Sequence, residues 1–323
     1  MMSNHVRTVV IMFIFLLPGP CSSNVRFVLS QCIKWASAPN RTAPDSQSQQ
    51  EAVNKIESGS IADTVASLHQ ISADDYRVPL RARPLLARLK HQIRDLISQA
   101  LSAASAGQLD SVALRTRIWD QLTSRGVTIG QPREHATSDN DWQSKYGYGD
   151  LYDVEVKQPL RHPELIAVTT TLEIPCGRDS SLYVFRKSNL DWRLIIAQEA
   201  NDYDLVSGAQ GLFDYRISPG RFKEFFVLTV NVNPWCTSNW QSIRYSALRP
   251  GQSAYEPHVL TSGNEIIYLG VEPPPYKLVV KRKWFSIRFS GESSRSEIMS
   301  GITSRDHVLK YLIQGTRAVR ISR

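Results

Sequence analysis

The densest run of side chains able to do chemistry is Glu199-Ala200-Asn201-Asp202-Tyr203-Asp204, with Asp214 shortly after it. Cleavage of a glycoside needs two carboxyl groups facing one bond, one protonating the leaving oxygen and the other serving as base or nucleophile. Aromatic rings beside such a pair would line a sugar site, and Tyr203, Trp235 and Trp240 are the rings nearest in sequence. Glu199, Asp202, Asp204, Tyr203, Trp235 and Trp240 are therefore the candidate ligand-binding residues. The same Asn-Asp-Tyr-Asp composition suits a solvated loop or a calcium-binding turn, so no catalytic residue is assigned.

The two tryptophans belong to a second cluster, Asn233–Gln241 (NPWCTSNWQ), which has the richness of a site but the position of a corner. It follows an apolar run, FFVLTVNV, and precedes the alternating QSIRYSAL, whereas Cys176 ends another alternating run, IAVTTTLEIP. Both cysteines thus stand at strand ends. Thiolate chemistry at Cys236 needs an activating partner, and none is identifiable.

Other chemistries lack their signatures. Of the seven histidines, His5, His69, His91, His135, His162, His258 and His307, no two have the i, i+3 or i, i+4 spacing of a helical metal site. There is no G-x-S-x-G elbow, no GxGxxG after a strand and no Walker loop. No metal ligand is assigned and no cofactor is expected.

The N-terminus points to export. Arg7 precedes a ten-residue apolar run, Thr8–Leu17, which ends at Pro18-Gly19-Pro20. A membrane span needs about 20 apolar residues, so this run fits the core of a secretory signal instead. Ala36-Ser37-Ala38 has the A-x-A form of a cleavage site, although Pro39 follows it, and Cys21 lacks the small preceding residue of a lipoprotein cysteine. Residues 1–38 read as signal and leader and 39–50 as a Pro/Ser/Gln-rich linker. Membrane contact through the N-terminus is expected only if the signal stays uncleaved. Removal of the leader takes Cys21 and Cys32 and leaves Cys176 and Cys236, which in an oxidising compartment predict a disulfide.

The elements that must position these groups change character midway. Residues 51–130 read as helical: EAVNKIES, IADTVASLHQI, PLLARLKHQIRDLISQALSAAS and SVALRTRIWDQLTSRG. In the third, Leu86, Leu89, Ile93, Leu96, Ile97 and Leu101 recur at spacings of three and four, which makes an apolar stripe. Arg88, Lys90, Arg94 and Asp95 fall on its other side and are expected to be solvated. Beyond a polar stretch the period becomes two, and 145–323 reads as an antiparallel β-domain. FFVLTVNV resembles a buried central strand, Phe285, Ile287 and Phe289 alternate with Trp284, Ser286 and Arg288, and Gln314-Gly315-Thr316 reads as a hairpin turn. The expected class is α+β: a small helical region followed by an antiparallel sandwich or barrel, with an irregular propeller-like meander as the alternative.

The formal charge is +8, and residues 276–323 hold eleven Lys/Arg against Glu292, Glu297 and Asp306. Lys277, Lys281, Arg288, Lys310 and Arg320 alternate with apolar residues, which puts them on exterior strand faces as a candidate basic patch. Edge protection by cations is the ordinary use of such residues. An anionic polymer or envelope component is the expected partner, and nucleic acid is not expected for an exported chain. These observations give an exported, non-catalytic envelope or extracellular binding module as the leading expectation. The alternative is a glycan-directed hydrolase using the Glu199–Asp214 carboxylates.

A bridge between Cys176 and Cys236 would close a loop of about 60 residues and stabilise the fold by roughly 4 kcal/mol on the chain-entropy model. Non-reduced peptide mapping of protein from its native compartment is expected to recover the two cysteines in one cross-linked peptide. Two free thiols would refute the pairing.

Overall fold

The computed structural model describes residues 59–71, 78–104, 110–127, 148–174, 177–189, 191–200, 212–220, 224–233, 240–268, 276–292, 299 and 304–321. By its contacts, Ile56–Arg323 forms one compact unit. Among the described residues three helices come first, α1 (Ile61–His69), α2 (Ala82–Ala104) and α3 (Ser111–Ser124). Each start is legible locally. Ser60 caps α1 reciprocally with Asp63: the Asp63 N–H donates to the Ser60 hydroxyl at 3.2 Å, and the Ser60 N–H donates to the Asp63 carboxylate at 2.8 Å. Pro84 lies in the first turn of α2, and the Asp110 carboxylate caps α3 by accepting from the Val112 N–H at 2.8 Å.

The remaining strands form two antiparallel sheets. The first has four strands in sequence order: β1 (Leu151–Lys157), β2 (Leu165–Ile174), β3 (Gly177–Ser188) and β4 (Asp191–Gln198). The second has eight. A meander of β5 (Leu212–Ile217), β6 (Val227–Asn233), β7 (Trp240–Ser253) and β8 (Glu256–Tyr268) is followed by β9 (Tyr276–Val280), β10 (Trp284–Glu292), β11 (Ser304–Gln314) and β12 (Arg317–Arg320). The halves join where Gly291 of β10 meets Ile267 of β8. A Cβ at Gly291 would stand 2.5 Å from the His307 ring of β11 and 3.3 Å from the Ile266 carbonyl oxygen of β8, so the junction is crowded against a side chain there.

Three cores stack these elements into layers. The helices bury Leu86, Leu89, Ile93 and Leu101 against Val154, Ile166, Val168 and Phe185 on one face of the first sheet. Its other face carries Leu165, Ala167, Leu182 and Val184, which pack on Phe225, Val227 and Leu248. The opposite face of β6, with Phe226, Leu228 and Val230, packs on Phe285, Ile287, Phe289 and Tyr311 from the second half of the same sheet. The expected α+β class and sandwich are what form, with β2 buried on both faces almost throughout. The barrel does not form: β5 and β12 end the eight-stranded order without pairing, because the sheet turns back on itself at the Gly291 junction instead of closing. Meanders like those of the propeller alternative are present, but they stack around shared cores. The hairpin at Gln314-Gly315-Thr316 forms as expected, with Gly315 at φ 58° in a two-residue loop.

The helix charges correct the sequence expectation. Lys90 and Arg94 are buried, not solvated. Lys90 Nζ lies 3.1 Å from the Asp179 carboxylate of β3, with side chains 1% and 0% exposed, and it also donates to the Ala200 carbonyl. Arg94 pairs with Glu199 at 2.8 Å. The apolar stripe predicted for α2 is buried as expected, but the helix is enclosed over a wider arc, and partners distant in sequence compensate the charges within it.

Removing one member of a buried pair strands the other charge, which costs about 3–5 kcal/mol, whereas replacing both with apolar groups is often close to neutral. Lys90→Met is therefore expected to lower the urea-unfolding free energy by about that much. Lys90→Met combined with Asp179→Leu is expected to recover most of the loss. Equal destabilisation in the single and double variants would show that the pair is not coupled.

Candidate functional site

Of the carboxylates singled out in sequence, Glu199 and Asp214 do not converge. Glu199 is turned to the helix side of the first sheet, where it holds Arg94 and, after burial itself, is the main influence raising the titration of the Tyr183 hydroxyl. Asp214 lies in β5 opposite Val230, whose side chain belongs to the core between the halves of the second sheet. Its carboxylate accepts from the Tyr215 N–H at 2.7 Å, pairs with Arg216 and stands beside Tyr276, whose hydroxyl is raised by burial first and by Asp214 next. The two acids thus serve different layers. Asp202, Tyr203, Asp204, Cys176, Trp235 and Cys236 lie outside the described residues, as does the side chain of Trp240, which begins β7.

The basic residues form a more coherent surface. In β9–β10, Lys277 lies opposite Arg288 and Val279 opposite Ser286, and the Lys281 N–H continues the ladder by donating to the Trp284 carbonyl at 2.9 Å. In β10–β11, Ser286 is opposite Lys310 and Arg288 is opposite Val308. Residues directly opposite share a face. Lys277, Lys281, Arg288 and Lys310 therefore occupy one outer face, all exposed, together with Trp284 and Val308. Lys310 Nζ sits 5.0 Å from the centre of the Trp284 ring, a cation–π contact.

Arg320 is the exception among the five. It is exposed but lies opposite Tyr311, on the sheet face that carries the core, and its charge acts on Tyr245. The alternation within RAVR is real, but the register of β12 puts Arg317 and Val319 on the outer side instead. Arg288 is not an unencumbered cation either, since Asp306 holds it at 2.6 Å. Opposed like charges at Lys277 and Arg288 are unfavourable, and Asp306 offsets them.

A concavity lies between the first sheet and β5, with a volume of about 290 Å³, and Asp214 is the residue of its lining that the sequence singled out. Asp153, Glu155 and Lys157 alternate along β1 with Val154 and Val156, which face the helices. The register sets Asp153 opposite Thr171 and Glu155 opposite Thr169. The signal was present in LYDVEVK, where every second residue is charged. Asp153 pairs with Arg115 at 3.1 Å and Glu155 with Lys157 at 2.5 Å. Arg178 lies 3.5 Å over the Tyr152 ring. Burial, then Glu155, pushes the Tyr215 hydroxyl well above the usual tyrosine range.

Among the described residues, no group of three or more His, Cys, Asp or Glu side chains is arranged to hold a metal ion, and no helix is long and apolar enough to cross a membrane. Comparison with protein families, with curated proteins and with solved structures found no match.

Hydrogen bonds from Arg288 and Ser290, with the Arg288 charge, hold the Asp306 carboxyl below its ordinary value. A carboxyl that titrates lower in the fold contributes its stabilisation fully above the open-chain value of about 3.9 and loses it as pH falls through the folded value. NMR titration of the Asp306 carboxyl is expected to give a midpoint below that range, moving upward in Arg288→Gln. A midpoint indifferent to Arg288 would remove the pair as its cause.

Proposed function

We propose that the protein is a non-catalytic binding module of the envelope or extracellular space that engages an anionic polymer through the outer face of β9–β11. The observation that carries this reading is the convergence of Lys277, Lys281 and Lys310 with Trp284 on one face, from strands whose pairing fixes their neighbours. Cations on a sheet face attract polyanions at long range, while Trp284 and Val308 offer apolar contact to the polymer backbone or to ring faces. A rigid sheet positions these groups without a large ordering cost on binding. The carboxylates nearby are engaged by arginines: Glu224 pairs with Arg282 and Asp306 with Arg288. Export by the Thr8–Leu17 segment belongs to the same reading, since it delivers the module to surfaces rich in acidic polymers.

Retention on an immobilised acidic polysaccharide tests it. Screening shortens the range of such attraction from about 10 Å at 0.1 M salt to about 3 Å at 1 M. The protein is expected to bind at low salt and elute as salt rises. Lys277, Lys281 and Lys310 replaced together by Gln are expected to elute much earlier, with an unchanged unfolding transition because all three are exposed. Retention that ignores both salt and the triple substitution would refute the role of this face.

A further inference from the structure

We infer that the cleft between the first sheet and β5 is a separate binding site for a neutral, polyhydroxylated ligand of about the size of one sugar ring. The same sheet face is apolar where Leu165, Ala167, Leu182 and Val184 meet the second sheet, and it turns polar toward Thr169, Thr171 and Ser180. Packing alone does not call for this change, since a sandwich interior is ordinarily apolar on its inner faces.

Two observations define the ligand. First, the acids are compensated. The carboxylates of Asp153, Glu155 and Asp214 line the cleft with Lys157 and Arg178, and each carboxylate is already paired with a cation, Asp153 with Arg115, Glu155 with Lys157 and Asp214 with Arg216. A charged ligand would meet its like charge as readily as its opposite, whereas hydroxyl groups can donate to the carboxylates and accept from the cations. Second, the hydroxyls of Thr169 and Tyr215 are buried at the cleft lining as neighbours, with no hydrogen-bond partner beyond each other. A buried hydroxyl short of partners is costly, and a ligand hydroxyl would satisfy it. Tyr152 and Phe213 add ring surface of the kind against which the C–H faces of a sugar pack.

The test is saturation-transfer NMR on the full chain, using a panel of neutral hexoses and N-acetylhexosamines, with glucuronic acid and glucosamine as charged counterparts. At least one neutral sugar is expected to receive saturation, and its charged counterpart is expected to bind about tenfold more weakly. Glu155→Gln, at a half-exposed position that does not support the core, is expected to weaken binding about tenfold. Thr169→Val, nearly isosteric, is expected to weaken binding without loss of the fold, because it removes one of the two hydroxyls a ligand would meet. The Lys277/Lys281/Lys310→Gln protein is expected to bind the sugar unchanged, which separates this site from the basic face. Absence of transfer to every neutral sugar, equal transfer to charged sugars, or binding indifferent to Glu155→Gln and Thr169→Val would each overturn the assignment.

Discussion

Lys90 and Asp179 meet at 3.1 Å where α2 crosses the first sheet, and a charge pair with almost no exposure tolerates little displacement. An apolar helix face can slide by part of a turn and still be buried, but the Lys90 ammonium is held by the Asp179 carboxylate and the Ala200 carbonyl together, and a slide would break both contacts in a water-poor interior. The pair therefore sets the rotation and height of α2 on β3. One helical turn further on, Arg94 is then placed to hold Glu199 at 2.8 Å and to stack over Tyr255 at 4.5 Å. Tyr255 sits in the turn between β7 and β8, and the neighbouring Ala254 carbonyl accepts from the Ala197 N–H of β4 at 2.8 Å. A chain of polar contacts thus runs from the helix layer through the edge of the first sheet into the second.

That registration matters because the first sheet is covered on both faces. Its helix side is apolar nearly throughout, apart from the compensated charges, whereas its other side is divided between core and cleft. The division follows from alternation on β1: Leu151, Val154 and Val156 anchor the strand to the helices, so Asp153, Glu155 and Lys157 project the other way. An irregularity between Leu151 and Asp153 accommodates Tyr152 at the rim, where Arg178 covers its ring. Bulges commonly redirect a side chain in this manner. His162 ties the β1–β2 turn to the second sheet, with Nε2 2.9 Å from the Ser218 carbonyl and its ring against Phe225, so the two layers are joined beside the core and open toward the cleft.

Features with a local cause were legible in sequence. The spacing of Leu86, Leu89 and Ile93 predicted the buried stripe of α2, and the alternation of Phe285, Ile287 and Phe289 predicted which side of β10 is core. Features that depend on pairing between distant segments were not. Nothing near Lys90 announces Asp179, and nothing near Glu199 indicates that it faces the helices while Asp214 serves another layer. Arg320 shows the same limit on a smaller scale: alternation gives two faces for a short strand, but only pairing with Tyr311 decides which face is which. The cleft was the least legible feature: the charged alternation of LYDVEVK marks one wall and Asp214 lies on another, but only the packing of β5 against the first sheet brings them together.

The two proposed surfaces differ in their physics, and the difference suits one kind of target. Cations on the β9–β11 face attract across a Debye length and discriminate poorly among polyanions, so they favour encounter over selection. The cleft has compensated charges and fixed donors and acceptors, so it adds little long-range attraction but selects strongly by the placement of hydroxyl groups. A polymer bearing acidic groups along its length and neutral sugars as units or branches would satisfy both, and simultaneous engagement would raise avidity without any new contact, provided its chain spans the two surfaces. Salt acts unequally on such a complex: it weakens the basic face steeply and leaves hydrogen bonds to a neutral ring in a partly enclosed cleft largely intact. Selectivity for sugar identity would therefore persist at ionic strengths where the electrostatic contribution to affinity has already been lost.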